Sequence, residues 1–244
     1  MKLLNPEKDN PYYQKTKYKP LFQSGILDLR DLISQFQHLA SEQIERLHLG
    51  NEFEEENNCS YVVLRYKGVF LSQLKEEEYT LVTYPVNATA LTMYRYAYLL
   101  DEKGECVFTL TSLWVLMGRS TRKIIPAKAF RKRLEEQLPE IETILPLEEG
   151  RLENFSLPSG QWNPVCEYVV KSEDIDSNGH MNNAVYFSLA QKIPFCLSSF
   201  ELDYEKECFL GEKITISSLK EGKELFIIGR KKDDISFKFR CIPA

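Results

Sequence analysis

The order of predicted helices and strands is repeated along the 244-residue chain. A stretch with helical periodicity at residues 24–51 is followed by four β-rich stretches, and a second one at residues 183–193 is followed by four more. A helix followed by an antiparallel meander is typical of a sheet that packs on one helix. Because the order occurs twice, the sequence predicts an α+β protein with two copies of one unit, each an antiparallel sheet wrapping a central helix.

The first helix is indicated by apolar residues at spacings of three and four from Leu29 to Leu47. Asp28 is the expected N-terminal cap, and Gly50 is expected to end the helix in a left-handed conformation. The acidic stretch that follows, NEFEEENNCS, is predicted to be a loop. Residues 101–105, DEKGE, are predicted to form a hairpin turn between two strands.

A proline-interrupted stretch separates the two halves. Residues 126–150 begin with a helical pattern that Pro139 and Pro146 break. The sequence therefore predicts an N-terminal unit at residues 1–125, a linker with a short helix at 126–160, and a C-terminal unit at 161–244.

Composition narrows the class of protein. The net charge of −5 disfavours nucleic acid as a bulk partner. The six cysteines contain no CxxC pair and do not suggest a disulfide framework, so a reduced, cytoplasmic protein is expected. No apolar run approaches the roughly 20 residues of a membrane-spanning helix, so membrane insertion is not expected.

Exposed sheet edges make a homodimer a reasonable expectation.

The stretch Asp176–Asn183, DSNGHMNN, admits two interpretations. In the structural one, Asn182 caps a helix and Asn178-Gly179 forms a turn. In the chemical one, the alternating Asp176, Asn178 and His180 project to one side of an extended segment, or a tight turn gathers them. The imidazole could then move a proton while the amide stabilises an oxyanion, which suits hydrolysis of an activated acyl group.

Three stretches together resemble the acyl-acyl carrier protein (acyl-ACP) thioesterase family. They are DSNGHMNN at residues 176–183, LTSLWVLMGRSTRKIIP at 110–126 and LDYEKEC at 202–208, in the family's order and spacing. The resemblance implies a tandem (double) hotdog fold and hydrolysis of fatty acyl-ACP to free fatty acid, which ends chain elongation. It implies no cofactor and no metal. The stretch Tyr94–Tyr98 departs from the family's R-R-D-W-like segment, so chain-length preference cannot be carried over.

The resemblance also implies a set of site residues. Asp176, Asn178, His180 and Glu207 match the family's catalytic residues, and Cys208 matches a cysteine once proposed as the nucleophile. Adjacent residues of a regular strand face opposite sides, so Glu207 and Cys208 should not share one pocket. Cys208 alternates with apolar residues. We therefore expect Glu207 and His180 to activate a water, and Cys208 to be a buried structural thiol. Cys208 is kept as the alternative candidate for the nucleophile.

The segment Arg119–Arg133 contains seven basic residues and no acidic one. Such a run can be a solvated helix face or a docking surface for an acidic partner. The partner that the resemblance implies is acyl carrier protein carrying a fatty acyl-phosphopantetheine. Competing hypotheses are an acyl-CoA thioesterase, a non-catalytic binding module and, less favoured, a dehydratase. The docking candidates are Arg122, Lys123, Lys128, Arg131, Lys132 and Arg133.

Overall fold

The structure, a computed structural model, describes residues 13–86, 89–137, 152–176 and 178–244. These residues form an α+β protein with two compact units. Unit 1 comprises the described residues of Met1–Lys19, Gln35–Leu64 and Glu78–Leu152. Unit 2 comprises those of Pro20–Ser34, Arg65–Glu77 and Glu153–Ala244. The two units interleave along the chain, whereas the sequence predicts consecutive units at residues 1–125 and 161–244. The consecutive division stays a prediction.

Unit 1 is built on an antiparallel sheet with the strand order β1-β5-β6-β7-β4, and with β8 paired to β7. Helix α1 and strand β4 contribute residues to both units. The strands are β1 (Gln14–Tyr18), β4 (Cys59–Phe70), β5 (Tyr79–Val86), β6 (Thr92–Leu100), β7 (Cys106–Gly118) and β8 (Ile124–Ile125). The helices are α1 (Leu29–Arg46), α2 (Asn51–Glu56) and α3 (Lys128–Gln137).

The predicted start of α1 is confirmed, and its predicted end is wrong. Asp28 Oδ1 accepts a hydrogen bond from the Asp31 N–H at 3.1 Å, as expected for an N-cap. After the helix it is His48 that takes a left-handed φ of 53°. Gly50 has a φ of −85° and precedes α2. A side chain at Gly50 would meet the end of the Glu45 side chain, which would have to shift to make room.

Two further features of unit 1 bear on the sequence predictions. The first six residues of the acidic stretch after α1, Asn51–Glu56, form helix α2 and not a loop, because Phe53 is buried in the core of unit 1 and anchors the helix. The hairpin turn at 101–105 is confirmed, since the Gly104 N–H bonds to Asp101 O at 3.0 Å. Helix α3 lies at the start of the predicted linker and buries Phe130 and Leu134. The helix-breaking prolines at 139 and 146 lie outside the described residues.

Unit 2 has the strand order β4-β10-β13-β12-β11-β9, and β2 and β3 form a separate hairpin. A 3-10 turn, Ser172–Asp174, precedes the short helix α4, Val185–Ala190. The strands are β2 (Phe22–Gln23), β3 (Ile26–Leu27), β9 (Asn163–Val169), β10 (Leu197–Tyr204), β11 (Lys213–Glu221), β12 (Glu224–Lys231) and β13 (Asp234–Pro243).

Aromatic side chains hold α4 on the sheet of unit 2. The Tyr186 ring meets those of Tyr204 and Phe237 edge-on, with centroids 5.1 Å and 5.5 Å apart. Phe187 meets Phe200 in the same way at 5.5 Å. Each such pair contributes about 0.5–1.5 kcal/mol beyond the area it buries. The start of α4, and with it the segment just before, therefore has a defined place above the sheet.

Two elements of unit 2 are shorter than the sequence predicts. The helix expected at 183–193 covers only Val185–Ala190, and β10 ends at Tyr204 instead of continuing to residue 210. Glu207 and Cys208 therefore lie in the loop between β10 and β11, where strand alternation does not apply. None of the helices in the described ranges is long and apolar enough to cross a membrane.

Candidate active site

His180 lies in a tight turn just before α4. The Gly179 N–H donates to Asp176 O at 3.1 Å, and the Asp176 N–H donates to His180 O at 3.0 Å. Gly179 has a φ of +81°, which a residue with a side chain rarely adopts. The predicted Asn178-Gly179 turn is confirmed, and it is this turn, not an extended segment, that brings Asp176 and His180 together.

The turn is fastened to the rest of unit 2 on both sides. The Met181 N–H donates to Cys208 O at 2.7 Å, and the Asn182 N–H donates to Asp174 O at 2.8 Å. Asp174 is buried and in turn accepts hydrogen bonds from the Tyr168 hydroxyl and the Lys171 N–H. Burial and the bond to the Asp174 carboxylate raise the pKa of Tyr168 to about 12, so the hydroxyl stays a donor.

The expected cap of α4 is corrected by the structure. The N-cap residue of α4 is Ala184, which has no side-chain capping bond. Asn182 accepts instead from the Ala184 N–H at 2.8 Å through its Oδ1, two residues before the N-cap. Asn182 thus stabilises the approach to the helix, and Asn and Asp side chains do this readily in turns.

The His180 imidazole lies between two carboxylates. Its Nδ1 is 3.5 Å from Asp176 Oδ2, and its Nε2 is 3.7 Å from Glu207 Oε1. The side chains of His180, Asp176 and Glu207 are 16%, 17% and 29% exposed, so the group is mostly shielded from solvent. Separations of this size exceed a normal hydrogen bond, and catalytic contacts commonly tighten when substrate binds.

Asn178 lies on the same turn but not between these groups. Its backbone N–H donates to Asp176 Oδ1 at 2.8 Å, which fixes the Asp176 carboxylate. The residue is exposed, and the contacts that join His180 to the two carboxylates do not include its side chain. The turn therefore places the His180 imidazole between the Asp176 carboxylate and the Glu207 carboxylate of the segment after β10. The Asn178 amide lies at the exposed tip of the turn.

Cys208 is placed where a thiol is unreactive. Its residue is fully buried, and burial raises the pKa of the thiol above its ordinary value despite hydrogen bonds with Tyr186 and Ser236. Because the thiolate is the nucleophilic form, a buried thiol with a raised pKa is a poor nucleophile. The Cys208 carbonyl, by contrast, is used, since it accepts the bond from Met181.

Acidic neighbours neutralise part of the basic segment. On α3, Arg131 pairs with Glu135 at 2.7 Å and Lys132 with Glu136 at 3.7 Å. Arg133 reaches Glu56 of α2 at 2.9 Å. Lys123 and Lys128 are exposed and form no ion pair within the described residues, and Arg122 is also exposed. The most available positive charge therefore precedes α3 or lies at its start.

No three His, Cys, Asp or Glu side chains of the described ranges converge as metal ligands would. The arrangement around His180 itself suits proton transfer. An imidazole with a carboxylate on each side can take a proton from water and pass it to a leaving group.

Family models cover most of the chain. Residues 15–129 match the acyl-ACP thioesterase N-terminal domain, and residues 161–241 match the acyl-ACP thioesterase C-terminal domain. The chain belongs to the acyl-ACP thioesterase family. It is accordingly a thioester hydrolase of fatty acid biosynthesis that acts on fatty acyl-ACP. A comparison with curated protein sequences found no match.

Solved structures of acyl-ACP thioesterases share the fold of this thioesterase. An acyl-ACP thioesterase from Bacteroides thetaiotaomicron aligns with a TM-score of 0.81 at 18% identity, over 95% of this chain and 97% of that one. A 12:0-ACP thioesterase from Umbellularia californica aligns with a TM-score of 0.82 at 16% identity, over 96% and 98%. At this level of identity the likeness concerns the fold.

Proposed function

We propose that this thioesterase hydrolyses fatty acyl-ACP with a water molecule activated by His180 and Glu207. The observation that carries the proposal is the position of the imidazole between Asp176 and Glu207 in a mostly shielded turn. Two carboxylates on opposite ring nitrogens orient the imidazole and stabilise its protonated form.

The proposed roles follow from which ring nitrogen each group meets. In the proposed tautomer the Nδ1–H faces Asp176 and donates to it when the contact tightens on substrate binding, so Nε2 is left as an acceptor on the side of Glu207. A water held beside Nε2 and Glu207 attacks the thioester carbonyl carbon and loses its proton to this pair. The carbon–sulfur bond then breaks, and the proton passes to the pantetheine sulfur, which leaves as a thiol. Asn178 is proposed to donate to the developing oxyanion from the tip of the turn.

The proposed fold is a tandem hotdog, with residues 1–125 and 161–244 as the two units and 126–160 as the linker. The repeated helix-and-meander order supports the tandem arrangement. So does the presence of an antiparallel sheet in each of two compact units, although residues 20–34 and 65–77 are grouped with the second unit. We also propose a cytoplasmic location, which the six free cysteines support, and a homodimer, which sedimentation would test.

Release of free thiol from matched acyl-ACP and acyl-CoA substrates tests the reaction directly. Short, medium and long acyl chains should be included, so that the same assay reports the chain length that the enzyme prefers. Fast turnover of the carrier-bound esters supports the proposal, and a preference for CoA esters would favour the acyl-CoA alternative. An enzyme that binds the carrier but hydrolyses neither set would be a binding module.

Reversal of charge at Lys123 and Lys128 should weaken recognition of the carrier protein. Acyl carrier proteins are acidic, and rim charges act mainly on encounter with a charged partner. We expect the double variant K123E/K128E to raise KM for acyl-ACP about 10-fold and to leave KM for acyl-CoA within about 2-fold. Steady-state kinetics at low and high salt measures both.

Lys103→Glu is the matched control, because Lys103 is also exposed in unit 1 but lies in the β6–β7 turn. It should change neither KM. Equal effects of K123E/K128E on the two substrates would rule out a docking role for these lysines. A triple variant at Arg131, Lys132 and Arg133 should have the smaller effect, since acidic neighbours already pair these residues.

A further inference from the structure

Glu207 lies in a segment outside the strands, and the segment is tied to neighbouring backbone near its two ends. The Glu205 and Lys206 N–H groups donate to Ser236 O on β13 at 2.9 Å and 3.1 Å, and the Gly211 N–H donates to Val170 O at 2.9 Å. Strand β10 ends at Tyr204 and β11 begins at Lys213, so residues 205–212 lie outside both strands. A carboxylate that must stay within reach of His180 needs its backbone fixed. Displacement of a reacting group by about 1 Å can cost about 100-fold in rate. The contacts that fix this segment therefore bear on catalysis.

Lys231, at the end of β12, contacts this segment at two points. Its Nζ donates to the Glu207 carbonyl oxygen at 2.6 Å and to Glu212 Oε2 at 2.7 Å. The Lys231 side chain is only 17% exposed, so both bonds are partly shielded from water. Its Nζ also lies 5.5 Å from the centroid of the Phe209 ring, within range of a cation–π contact.

Glu212 completes the arrangement. The oxygen that meets Lys231 also accepts the Phe209 N–H at 2.9 Å, so one carboxylate oxygen ties the segment back on itself. Partial burial raises the pKa of the Glu212 carboxyl, and the bonds from Lys231 and the Phe209 N–H outweigh this and lower it. Glu212 is therefore ionised at neutral pH and remains a partner for the ammonium.

The same segment is fastened on its other side to the catalytic turn. The Cys208 carbonyl accepts the Met181 N–H at 2.7 Å, one residue after His180. Two successive carbonyls of this segment are therefore held: that of Glu207 by the Lys231 ammonium, and that of Cys208 by the Met181 N–H. Lys231 fixes the first of these and, through Glu212, the backbone N–H of Phe209.

We propose that Lys231 and Glu212 form a positioning pair that sets the Glu207 carboxylate against the His180 imidazole. The proposal rests on the role proposed for Glu207. The pair acts through geometry, because the charge of Lys231 is largely offset by that of Glu212. Neither residue contacts the reacting atoms, so both are positioning residues and not catalytic ones.

Lys231→Met should lower kcat for acyl-ACP about 10-fold, with KM within about 2-fold, because substrate contacts are unchanged while the carboxylate loses its place. Lys231→Arg should restore kcat to within about 3-fold of wild type, since a guanidinium can bridge the same two oxygens. Lys213→Met is the matched control. Its Nζ makes an equally short bond, 2.6 Å, to Glu167 on β9, and its loss should leave kcat unchanged.

A double-mutant cycle separates positioning from loss of stability. If Lys231 acts through Glu207, Lys231→Met should have little further effect on kcat in a Glu207→Gln background. An equal loss in both backgrounds would overturn the proposal. Backbone hydrogen exchange of residues 205–212 should be faster in Lys231→Met than in Lys213→Met, and unchanged exchange would also overturn it.

These readouts separate the positioning pair from the proposed function. A wild-type enzyme that hydrolyses no thioester would refute the proposed function and the catalytic part of this inference. The exchange measurement would then still decide whether Lys231 holds the segment. An active wild type and an impaired Glu207→Gln beside a fully active Lys231→Met would refute the positioning role alone.

Discussion

His180→Ala is expected to lower kcat for fatty acyl-ACP by about 1,000-fold, with KM changed by less than about 3-fold. General acid–base catalysis by a positioned imidazole contributes roughly 100- to 10,000-fold. In the proposed mechanism His180 moves a proton from the attacking water to the leaving sulfur. The imidazole is not expected to bind the acyl chain or the carrier, so the loss should lie in kcat. Thiol release at saturating substrate measures it.

His38→Ala is the matched control. His38 lies on α1 and meets Glu42 with Nε2 to Oε1 at 3.3 Å, a His–Glu pair of similar separation but on an exposed surface. Its removal should leave both kinetic constants unchanged. If His180→Ala retained about a tenth or more of wild-type kcat, the loss would be smaller than general acid–base catalysis predicts. The proton would then have to be transferred by another group.

Glu207→Gln and Cys208→Ala should differ sharply. We expect Glu207→Gln to lower kcat about 100-fold or more, because an amide cannot take the proton of the attacking water. Cys208→Ala should stay within about 3-fold of wild-type kcat, since a buried thiol with a raised pKa supplies little thiolate. Comparison of single-turnover rates for the two variants measures this difference in the chemical step.

Stability has to be separated from chemistry for the buried thiol. Cys208→Ala removes a packed sulfur and should cost about 1–2 kcal/mol of unfolding free energy. Cys241→Ala on β13 is the control, because Cys241 is equally buried and burial raises its pKa to about 12. Similar losses in Tm with activity retained in both are expected. An inactive but folded Cys208→Ala, beside an active Glu207→Gln, would make Cys208 the nucleophile.

Much of the architecture follows from local pattern. Strand alternation and helical periodicity predict the order of elements, since each reports which face of one element is buried. The cap at Asp28 and the turn at Asn178-Gly179 are predicted for the same reason, because short-range backbone bonds decide them. The error in the acidic stretch arises because a tertiary contact, the burial of Phe53, outweighed composition. At the end of α1 the left-handed conformation falls on His48 and not on Gly50.

What the sequence by itself determined is the α+β class, the repeated element order and the turn at Asn178-Gly179, because local spacing and motif encode them. Only the tertiary structure decided how the site residues meet. Glu207 reaches His180 because β10 stops early, and Lys231 reaches Glu207 because strand pairing returns β12 to the same place. Likewise, the Arg133 guanidinium on α3 forms an ion pair with the Glu56 carboxylate on α2, which leaves its charge less available to a partner. Such contacts join residues far apart in the chain, and no local periodicity records distances between elements.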